Sequence, residues 1–327
     1  MSKVLVTGGL GFLGSQVVRQ CLEKGHTVRV LDNGFRGRQD RLGPHASQVE
    51  IFEGDVRDPM LARRACRGMD WVFHLAAVNG TRYFYEIPQE VLSVNVLGII
   101  TILQAAQAEG CSQFLFSSTS ELYQMPEHIP TPETERIMIP DIRNPRFSYA
   151  GSKIIGELFC LNQSPSSLIK TVIVRYHNAY VPDMGQEHVI PEIFNKLRQA
   201  SQDFKFSHCA IDIQGTGAET RAFNFVEDAA SGTMTAMEKG EDREIYHIGT
   251  QEETSIRDLI LLMGKILDLQ IEIRPGPGRE GSTPRRLPDI TKLSRLGYKP
   301  QVLLEDGLRR TLEWYRAQAK PAKSAVV

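Results

Sequence analysis

A tyrosine and a lysine four residues apart are the first side chains in this sequence that could do chemistry. Tyr149 and Lys153 lie in a stretch, 148–161, whose apolar spacing predicts a helix. Residues i and i+4 share one helical face, so the ammonium group would lie near the phenol. A free tyrosine has a pKa of about 10, and a neighbouring cation brings that pKa toward neutrality. The pair therefore predicts a general base, Tyr149, whose pKa is lowered by Lys153.

A run of hydroxyl-bearing residues, Ser117-Ser118-Thr119, ends a second stretch of interest, which is predicted as a strand at 113–117. Ligands in an open α/β sheet collect outside the carboxyl ends of the strands. Thr119 is therefore expected to hydrogen-bond the substrate hydroxyl group that Tyr149 deprotonates. A Tyr-x-x-x-Lys pair often occurs by chance, and its combination with this segment and with the loop described next is what favours catalysis.

A glycine-rich loop, GGLGFLG at 8–14, follows the first predicted strand and opens the first predicted helix. Glycine permits positive φ angles and a close approach of the backbone to a pyrophosphate. The N–H groups and dipole of a helix start attract its negative charge. This strand–turn–helix context predicts a dinucleotide site. Its contacts are expected from Gly8, Gly11, Phe12, Leu13 and Gly14.

The second predicted strand ends at an acidic residue, Asp32, which is followed by Asn33. A carboxylate at this position can accept hydrogen bonds from the ribose of adenosine. Arg36 and Arg38 lie close enough in sequence to pair with a 2′-phosphate, but Asp32 would repel that phosphate. The cofactor is therefore predicted to be NAD rather than NADP.

The elements that must position these residues alternate between short apolar strands and longer helices, the pattern of βαβ units on a parallel sheet. In the first half, strands are predicted at 4–6, 27–31, 71–75, 113–117 and 171–175, and helices at 12–24, 88–109 and 148–161. After residue 176 the alternation breaks, with helices predicted at 190–200, 255–267 and 304–317, strands at 223–226 and 244–248, and a loop at 274–279. The predicted fold is α/β, a Rossmann-type doubly wound parallel sheet with a smaller C-terminal lobe.

Composition excludes several classes of protein. The 327 residues include 38 Lys and Arg against 39 Asp and Glu, and a net charge of -1 carries no electrostatic footprint for nucleic acid. No run of about 18 uncharged apolar residues predicts a membrane span, and residues 3–7 look like a strand rather than a secretory signal. Five cysteines without a CxxC pair exclude a disulfide framework and a zinc cluster. We expect a cytoplasmic protein with no metal and no nucleic-acid or membrane partner.

In their order along the chain, these motifs resemble those of the extended short-chain dehydrogenase/reductase family, the nucleotide-sugar epimerases and dehydratases. The likeness extends to about residue 317. Residues 7–14 look like the cofactor loop of that family. The resemblance implies three further cofactor positions. Asp55 and Val56 would contact the adenine, and Leu75, Ala76 and Ala77 would form the segment that passes under the cofactor. Asn95 would steady the active-site helix.

The resemblance also implies a nucleotide-sugar end of the site. Asn178 resembles an asparagine that contacts the substrate diphosphate, and Arg221 and Arg279 resemble two phosphate-binding arginines. Guanidinium groups suit this role because they bind phosphate bidentately and keep their charge. Arg286 resembles an arginine that uronate decarboxylases use near the reacting carbons.

The chain is expected to form two domains and a tail. The NAD-binding domain is expected from 1–177 plus 222–249 and the sugar-binding lobe from 178–221 plus 250–318, followed by a disordered tail at 319–327.

The two residues that follow Thr119, namely Ser120 and Glu121, bear on the type of reaction. In simple 4-epimerases the positions of Ser120 and Glu121 tend to be non-ionisable, whereas a glutamate follows in 4,6-dehydratases and uronate decarboxylases. A carboxylate beside a transient 4-ketone could remove the C5 proton, or position a C5 carboxylate for loss as CO2. Dehydratases of dTDP-glucose carry an aspartate where this chain has Ser120, which argues against that subclass. Both residues are candidate catalytic groups, with a solvated acid as the other interpretation of Glu121.

These features predict an NAD-dependent nucleotide-sugar epimerase or dehydratase that works through a transient 4-keto sugar. Two alternatives stay open, a UDP-glucuronate-type decarboxylase with the same 4-keto step and a non-catalytic NAD-binding scaffold. The substrate is expected to be linked to UDP, GDP or CDP. By resemblance, helices 88–109 and 148–161 are expected to pair with a second subunit as a four-helix bundle in a homodimer.

Overall fold

A computed structural model describes residues 1–164, 167–185, 188–278 and 283–319 of the chain. The strands are β1 (Lys3–Thr7), β2 (Thr27–Asp32), β3 (Val49–Glu53), β4 (Trp71–His74), β5 (Gln113–Thr119), β6 (Lys170–Tyr176), β7 (Ala179–Tyr180), β8 (His208–Gln214), β9 (Thr220–Ala222), β10 (Asn224–Phe225), β11 (Glu244–Ile248), β12 (Glu253–Ser255), β13 (Gln270–Gly276) and β14 (Arg285–Arg286). The helices are α1 (Phe12–Glu23), α2 (Pro59–Cys66), α3 (Thr81–Glu86), α4 (Pro88–Ala108), α5 (Ser148–Leu161), α6 (Val189–Ala200), α7 (Val226–Lys239), α8 (Ile256–Leu267), α9 (Thr291–Arg295) and α10 (Leu304–Ala319). Short 3₁₀ segments occur at Gln39–Gln48, Ser120–Leu122 and Pro145–Phe147.

A seven-stranded parallel sheet organises the molecule, in the order β11-β6-β5-β4-β1-β2-β3. The chain order of the strands reverses between β1 and β4, and the carboxyl ends of strands at such a point form a ligand crevice. The predicted doubly wound α/β fold is confirmed. The predicted strands omit β3 because its sequence, VEIFE, mixes charged with apolar residues. As the edge strand it needs no fully apolar run.

Helices cover both faces of this sheet, so its strands are buried on two sides. On β1, Val4 and Val6 pack in the core under α1 and α7, while Leu5 packs in the core under α2, α4 and α5. This two-sided burial explains the short and almost wholly apolar strands.

The long helix α4 is apolar and long enough to cross a membrane by length and composition alone. Half of its most apolar stretch is nevertheless buried inside the protein. Val91, Ile99 and Ile102 are fully buried against the sheet, and the helix packs along α2 and α5. One face of the helix is therefore part of the hydrophobic core.

A third hydrophobic core lies beside the sheet and joins α6, α8 and α10, with Phe194, Met263 and Leu312 at its centre. Strands β8 and β13 flank it as a parallel pair. The prediction had instead placed a Pro- and Gly-rich loop from residue 274, yet the strand continues to Gly276. The tail predicted at 319–327 starts at the last residue of α10 and otherwise lies outside the described residues.

Helix α5, which carries Tyr149 and Lys153, lies directly on β5. The contact passes through Gly156, where a Cβ atom would lie 2.2 Å from Cζ of Phe116. A side chain on this face would push the helix away from the strand. Gly156 therefore sets how closely the two elements approach.

Gly156→Ala is expected to destabilise the protein by about 1–3 kcal/mol, because the added methyl group overpacks the helix–sheet contact. Gly151→Ala in the same helix is the matched control, because the nearest heavy atom to its Cβ would be 4.0 Å away. That variant is expected to be neutral or to stabilise by up to about 1 kcal/mol through helix propensity. Urea unfolding of both variants measures the difference, and equal effects would contradict the proposed contact.

Candidate active site

A cleft of about 620 Å³ opens at the carboxyl ends of β1, β2, β4, β5 and β6. It is lined by most of the predicted cofactor residues, namely Gly8, Gly11, Phe12, Leu13, Gly14, Asp32, Asn33, Val56, Leu75, Ala76 and Ala77. The same cleft is lined by most of the predicted catalytic and substrate residues, namely Thr119, Ser120, Glu121, Tyr149, Lys153, Asn178 and Arg286. Residues separated by more than 200 positions in the chain thus share one crevice.

The glycine loop has room for backbone only. Gly8 has a φ of 70°, and a Cβ there would lie 2.8 Å from backbone atoms of Ala76. A Cβ on Gly14 would lie 2.1 Å from the carbonyl oxygen of Gly8. Gly11 is the N-cap of α1, so the N–H groups of the first turn start at this loop. This side-chain-free cradle at a helix start fits the pyrophosphate of a dinucleotide.

Asp32 ends β2 at the edge of the cradle and is almost fully buried. Its two carboxylate oxygens accept hydrogen bonds from the backbone N–H groups of Leu10 (3.0 Å) and Gly34 (2.9 Å). Arg36 donates to the carbonyl of Asn79, and Arg38 forms ion pairs with acidic side chains. Both arginines considered as partners of a 2′-phosphate thus have partners within the protein, although Arg36 also lines the cleft, and the buried Asp32 agrees with NAD as the cofactor.

Two of the predicted cofactor residues do not line the cleft. Both oxygens of Asp55 accept hydrogen bonds from Arg57, at 2.9 and 2.6 Å, and this pairing lowers the pKa of the Asp55 carboxyl. Asn95 lies one layer behind the cleft, where it accepts from the N–H of Val78 (2.8 Å) and donates to Ser152 (3.1 Å). Asn95 thereby joins α4 to α5 beside Tyr149.

Tyr149, Lys153 and Thr119 form the centre of the cleft. The Thr119 side chain lies close enough to the Tyr149 hydroxyl to lower the pKa of that hydroxyl. The Lys153 ammonium donates to the carbonyl of Ser117 (2.7 Å) and lies 5.7 Å from the centre of the Tyr149 ring. The predicted base and its two partners therefore converge at the end of β5.

Burial dominates the protonation of this pair. It raises the pKa of Tyr149, and the charge of Glu121 raises it further, while the Thr119 side chain and the charge of Arg36 oppose both. Burial also lowers the pKa of Lys153 to about 7, against the opposing charge of Glu157. The side chains around Tyr149 therefore do not bring its pKa toward neutrality, because desolvation outweighs the opposing influences of Thr119 and Arg36. A further positive charge at the site is needed to favour the phenolate.

An aromatic residue that the sequence did not single out covers Tyr149. The ring of Phe84 stacks on the Tyr149 ring with centres 5.3 Å apart and planes within 11°. Phe84 lies on α3, which was not predicted because it has only six residues. Its stacking contributes to the burial that raises the pKa of Tyr149.

An ionic cluster occupies the other end of the cleft. The Glu121 carboxylate lies 2.6 Å from Arg286 and 3.8 Å from Arg146. Burial alone would raise the pKa of Glu121, but the charges of these arginines outweigh burial and lower it. Arg146 was missed by the sequence reasoning. Its position three residues before Tyr149 was the available signal.

Arg221 lies beside this cluster rather than in the lining of the cleft. It pairs with Arg286 in the register of β9 and β14. Burial and the charge of Arg286 lower the pKa of Arg221 to about 10. Two adjacent guanidinium groups repel each other, and an anion between them would relieve that repulsion. Arg279, the other predicted phosphate-binding arginine, lies outside the described residues.

Known proteins resemble this chain along almost its whole length. The NAD dependent epimerase/dehydratase family matches residues 4–249. A UDP-N-acetyl-alpha-D-glucosaminuronate decarboxylase of Bacillus cytotoxicus is 32% identical over 325 residues, which cover 96% of this chain and 98% of that protein.

Solved structures show the same fold. A UDP-glucose 4-epimerase of Thermotoga maritima with UDP-glucose has a TM-score of 0.83 at 28% identity, covering 97% of this chain and 99% of that chain. A dTDP-glucose 4,6-dehydratase of Streptomyces venezuelae with NAD bound has a TM-score of 0.82 at 29% identity, covering 96% and 97%. These matches show that the chain is an enzyme of the NAD-dependent epimerase/dehydratase family.

Proposed function

We propose that this enzyme oxidises a UDP-linked hexuronic acid at C4 and removes its carboxyl group as CO2. The observation that carries the proposal is the cluster in which Arg286 and Arg146 flank Glu121 at the sugar end of the cleft. Two guanidinium groups against one carboxylate leave a positive charge that suits a second carboxylate, that of the sugar. The uronate decarboxylase of Bacillus supports this choice, and its nucleotide favours UDP over GDP or CDP.

The first step is assigned to the centre of the cleft. Bound NAD+ supplies the hydride acceptor for C4 and a positive charge beside Tyr149. The Tyr149 phenolate takes the proton from the C4 hydroxyl, which the neighbouring Thr119 side chain in the same cleft is proposed to orient. Lys153 in its ammonium form stabilises the phenolate and holds the nicotinamide ribose. Asn178 and Arg221 are proposed to hold the diphosphate of the substrate.

The second step follows from the chemistry of the oxidised sugar. A 4-keto uronate is a β-keto acid, so its carboxylate leaves as CO2 while the bonding electrons pass into the C4 ketone as an enolate. C5 then takes up a proton. The hydride either returns to C4, which gives a UDP-linked pentose, or stays on the reduced nicotinamide while the 4-keto pentose is released. Arg286 and Arg146 are proposed to hold the leaving carboxylate. Glu121, which these arginines keep ionised, is proposed to orient, together with Ser120, the water molecule that donates the C5 proton.

Epimerisation at C4 is the second candidate. It needs only the Tyr149–Thr119 pair and a 4-keto sugar that rotates in the site, so that the hydride returns to its opposite face. The Thermotoga 4-epimerase shares the fold of this chain. An ion-paired Glu121 has no part in that reaction, and this is why decarboxylation is preferred.

The substrate test is incubation of the purified protein with UDP-glucuronate, UDP-N-acetylglucosaminuronate, UDP-glucose and GDP-mannose. A UDP-linked pentose or 4-keto pentose and released CO2 are expected from a uronate, measured by mass spectrometry and a coupled bicarbonate assay.

Tyr149→Phe is expected to lower turnover by about 10²–10⁴-fold, because general base catalysis is lost, and to keep NAD bound. Tyr85→Phe, an exposed tyrosine of α3, is the matched control. An isomer of equal mass would indicate an epimerase, and undiminished turnover of Tyr149→Phe would defeat the assignment of the base.

Glu121→Gln separates the two steps. The variant keeps the shape of the side chain but lacks its charge and its basicity, so uptake of the C5 proton after CO2 loss is expected to slow by about 10²-fold or more. Oxidation at C4 should continue, and the absorbance of reduced nicotinamide is expected to accumulate. Glu127→Gln, an exposed glutamate of the same loop, is the control. Equal losses in both steps would instead give Glu121 a role in substrate binding.

We also propose that two copies of the chain form a homodimer through α4 and α5. These helices pack side by side, and their outer faces expose apolar side chains, namely Leu92, Leu97, Ile155, Leu158 and Phe159. A contiguous exposed apolar face of this kind marks an interface, and a two-fold axis along it would give the four-helix bundle. A cytoplasmic location is proposed with it, since all five cysteines are unpaired thiols.

Leu97→Glu combined with Leu158→Glu is expected to give monomers, because charges would be buried in the proposed interface. Analytical ultracentrifugation measures the state of the protein. Leu261→Glu places the same charge on a comparably exposed leucine of α8 and should leave the dimer intact. A wild-type monomer at micromolar concentration would contradict the proposal.

A further inference from the structure

A buried ion pair lies directly behind the Tyr149 site and has no part in the reaction described above. Glu157 and Arg175 are each less than 5% exposed, with side-chain exposures of 3% and 4%. The guanidinium donates to both carboxylate oxygens, at 2.8 and 2.6 Å. A buried ion pair often stabilises a protein no more than apolar side chains of the same volume would. Stability alone therefore gives little reason for a charge here.

The partners of this pair point to the active site. Glu157 also accepts a hydrogen bond from the hydroxyl of Ser118 (2.5 Å), which immediately precedes Thr119. One helical turn earlier on α5, Lys153 donates to the carbonyl of Ser117 (2.7 Å). Two successive residues of β5 are thus attached to two successive turns of α5. These attachments hold Thr119 in register with Tyr149.

The far side of the pair is anchored to other elements. Arg175 on β6 also donates to the hydroxyl of Tyr123 (2.5 Å) and to the carbonyl of Glu133 (3.0 Å). The Tyr123 hydroxyl is in turn hydrogen-bonded to His247 on β11 (2.5 Å). Arg175 on β6 therefore fixes Glu157 in place and is itself linked through Tyr123 to β11, while Glu157 is bonded to β5 through Ser118.

The charge of Glu157 also reaches Lys153. Among the groups that face Lys153, Glu157 and Cys160 on α5 favour its ammonium form, and Glu157 has the stronger influence. From β4, the neutral His74 faces Lys153, whose charge lowers the pKa of that imidazole. On the other side of Glu157 stand Arg175 and Tyr123. The carboxylate thus opposes the burial that disfavours a charged Lys153.

We propose that Glu157 is a positioning residue for hydride transfer: it fixes the end of β5 against α5 and keeps Lys153 in its ammonium form. The proposal rests on the roles proposed above for Tyr149, Thr119 and Lys153. It assigns two separable effects to one carboxylate, a geometric effect through Ser118 and an electrostatic effect on Lys153.

Three variants separate these effects. Ser118→Ala removes the hydrogen bond and keeps the ion pair, so kcat should fall by a few-fold to about tenfold through misplacement of Thr119, with an unchanged pH profile. Glu157→Gln removes the charge, which lowers the pKa of Lys153 further below about 7. The limb of the kcat profile that reports loss of the Lys153 proton should therefore move to lower pH. Glu157→Asp keeps the charge on a shorter side chain, so kcat should fall while that limb stays in place.

Glu135→Gln is the matched control, because Glu135 is equally buried and is hydrogen-bonded within its own loop. It should change neither kcat nor the pH profile. If Glu157→Gln fails to fold, Ser118→Ala and Glu157→Asp still test the geometric effect. A wild-type limb in Glu157→Gln, or a wild-type kcat in Ser118→Ala and Glu157→Asp, would overturn the proposal. A wild-type protein without turnover, or one indifferent to Tyr149→Phe, would instead overturn the proposed function itself.

Discussion

The contact between α5 and β5 is the constraint on which the rest of the site depends. Gly156 lets the helix lie directly on the strand at Phe116, and this approach brings Lys153 within 2.7 Å of a strand carbonyl. Tyr149 and Thr119 belong to these two elements and meet because the elements do. A chemical pair built from one helix and one strand requires a fixed helix–strand distance, since a displacement of about 1 Å costs such a site about 10²-fold in rate.

Desolvation sets the protonation of the central groups. Burial raises the pKa of Tyr149 and lowers that of Lys153, so each is pushed toward its neutral form before any ligand is bound. A cationic nicotinamide bound beside Tyr149 would then have a direct electrostatic role, because its charge would favour the phenolate against this burial. At the other end of the cleft the balance is reversed, since arginines keep Glu121 ionised despite its burial. Burial therefore sets the pKa values of Tyr149 and Lys153 at one end of the cleft, whereas ion pairs set that of Glu121 at the other end.

An element could be predicted from the sequence where its residue pattern is contained in one continuous segment. The strands buried on both faces are continuous apolar runs, and α5 was predicted with its observed bounds of 148–161. The edge strand β3 and the strand β13 were missed, because exposed strands alternate in polarity and accept Pro or Gly at their ends. Phe84 and Arg146 were missed for a related reason, since each lies on an element too short to carry a periodic pattern.

By itself the sequence determined the parts of the protein whose chemistry is contained in one segment. The glycine cradle, the Tyr149–Lys153 pair on one helical face and the acidic end of β2 depend only on spacing within a strand, a turn or a helix. Only the tertiary structure decided which charges meet, because Glu121 and Arg286 are 165 positions apart and no spacing rule joins them. It also decided that Asp55 turns to Arg57 and that Glu157 reaches Ser118. Ion pairs and pKa values depend on distance and burial, and both arise only when separate elements pack together.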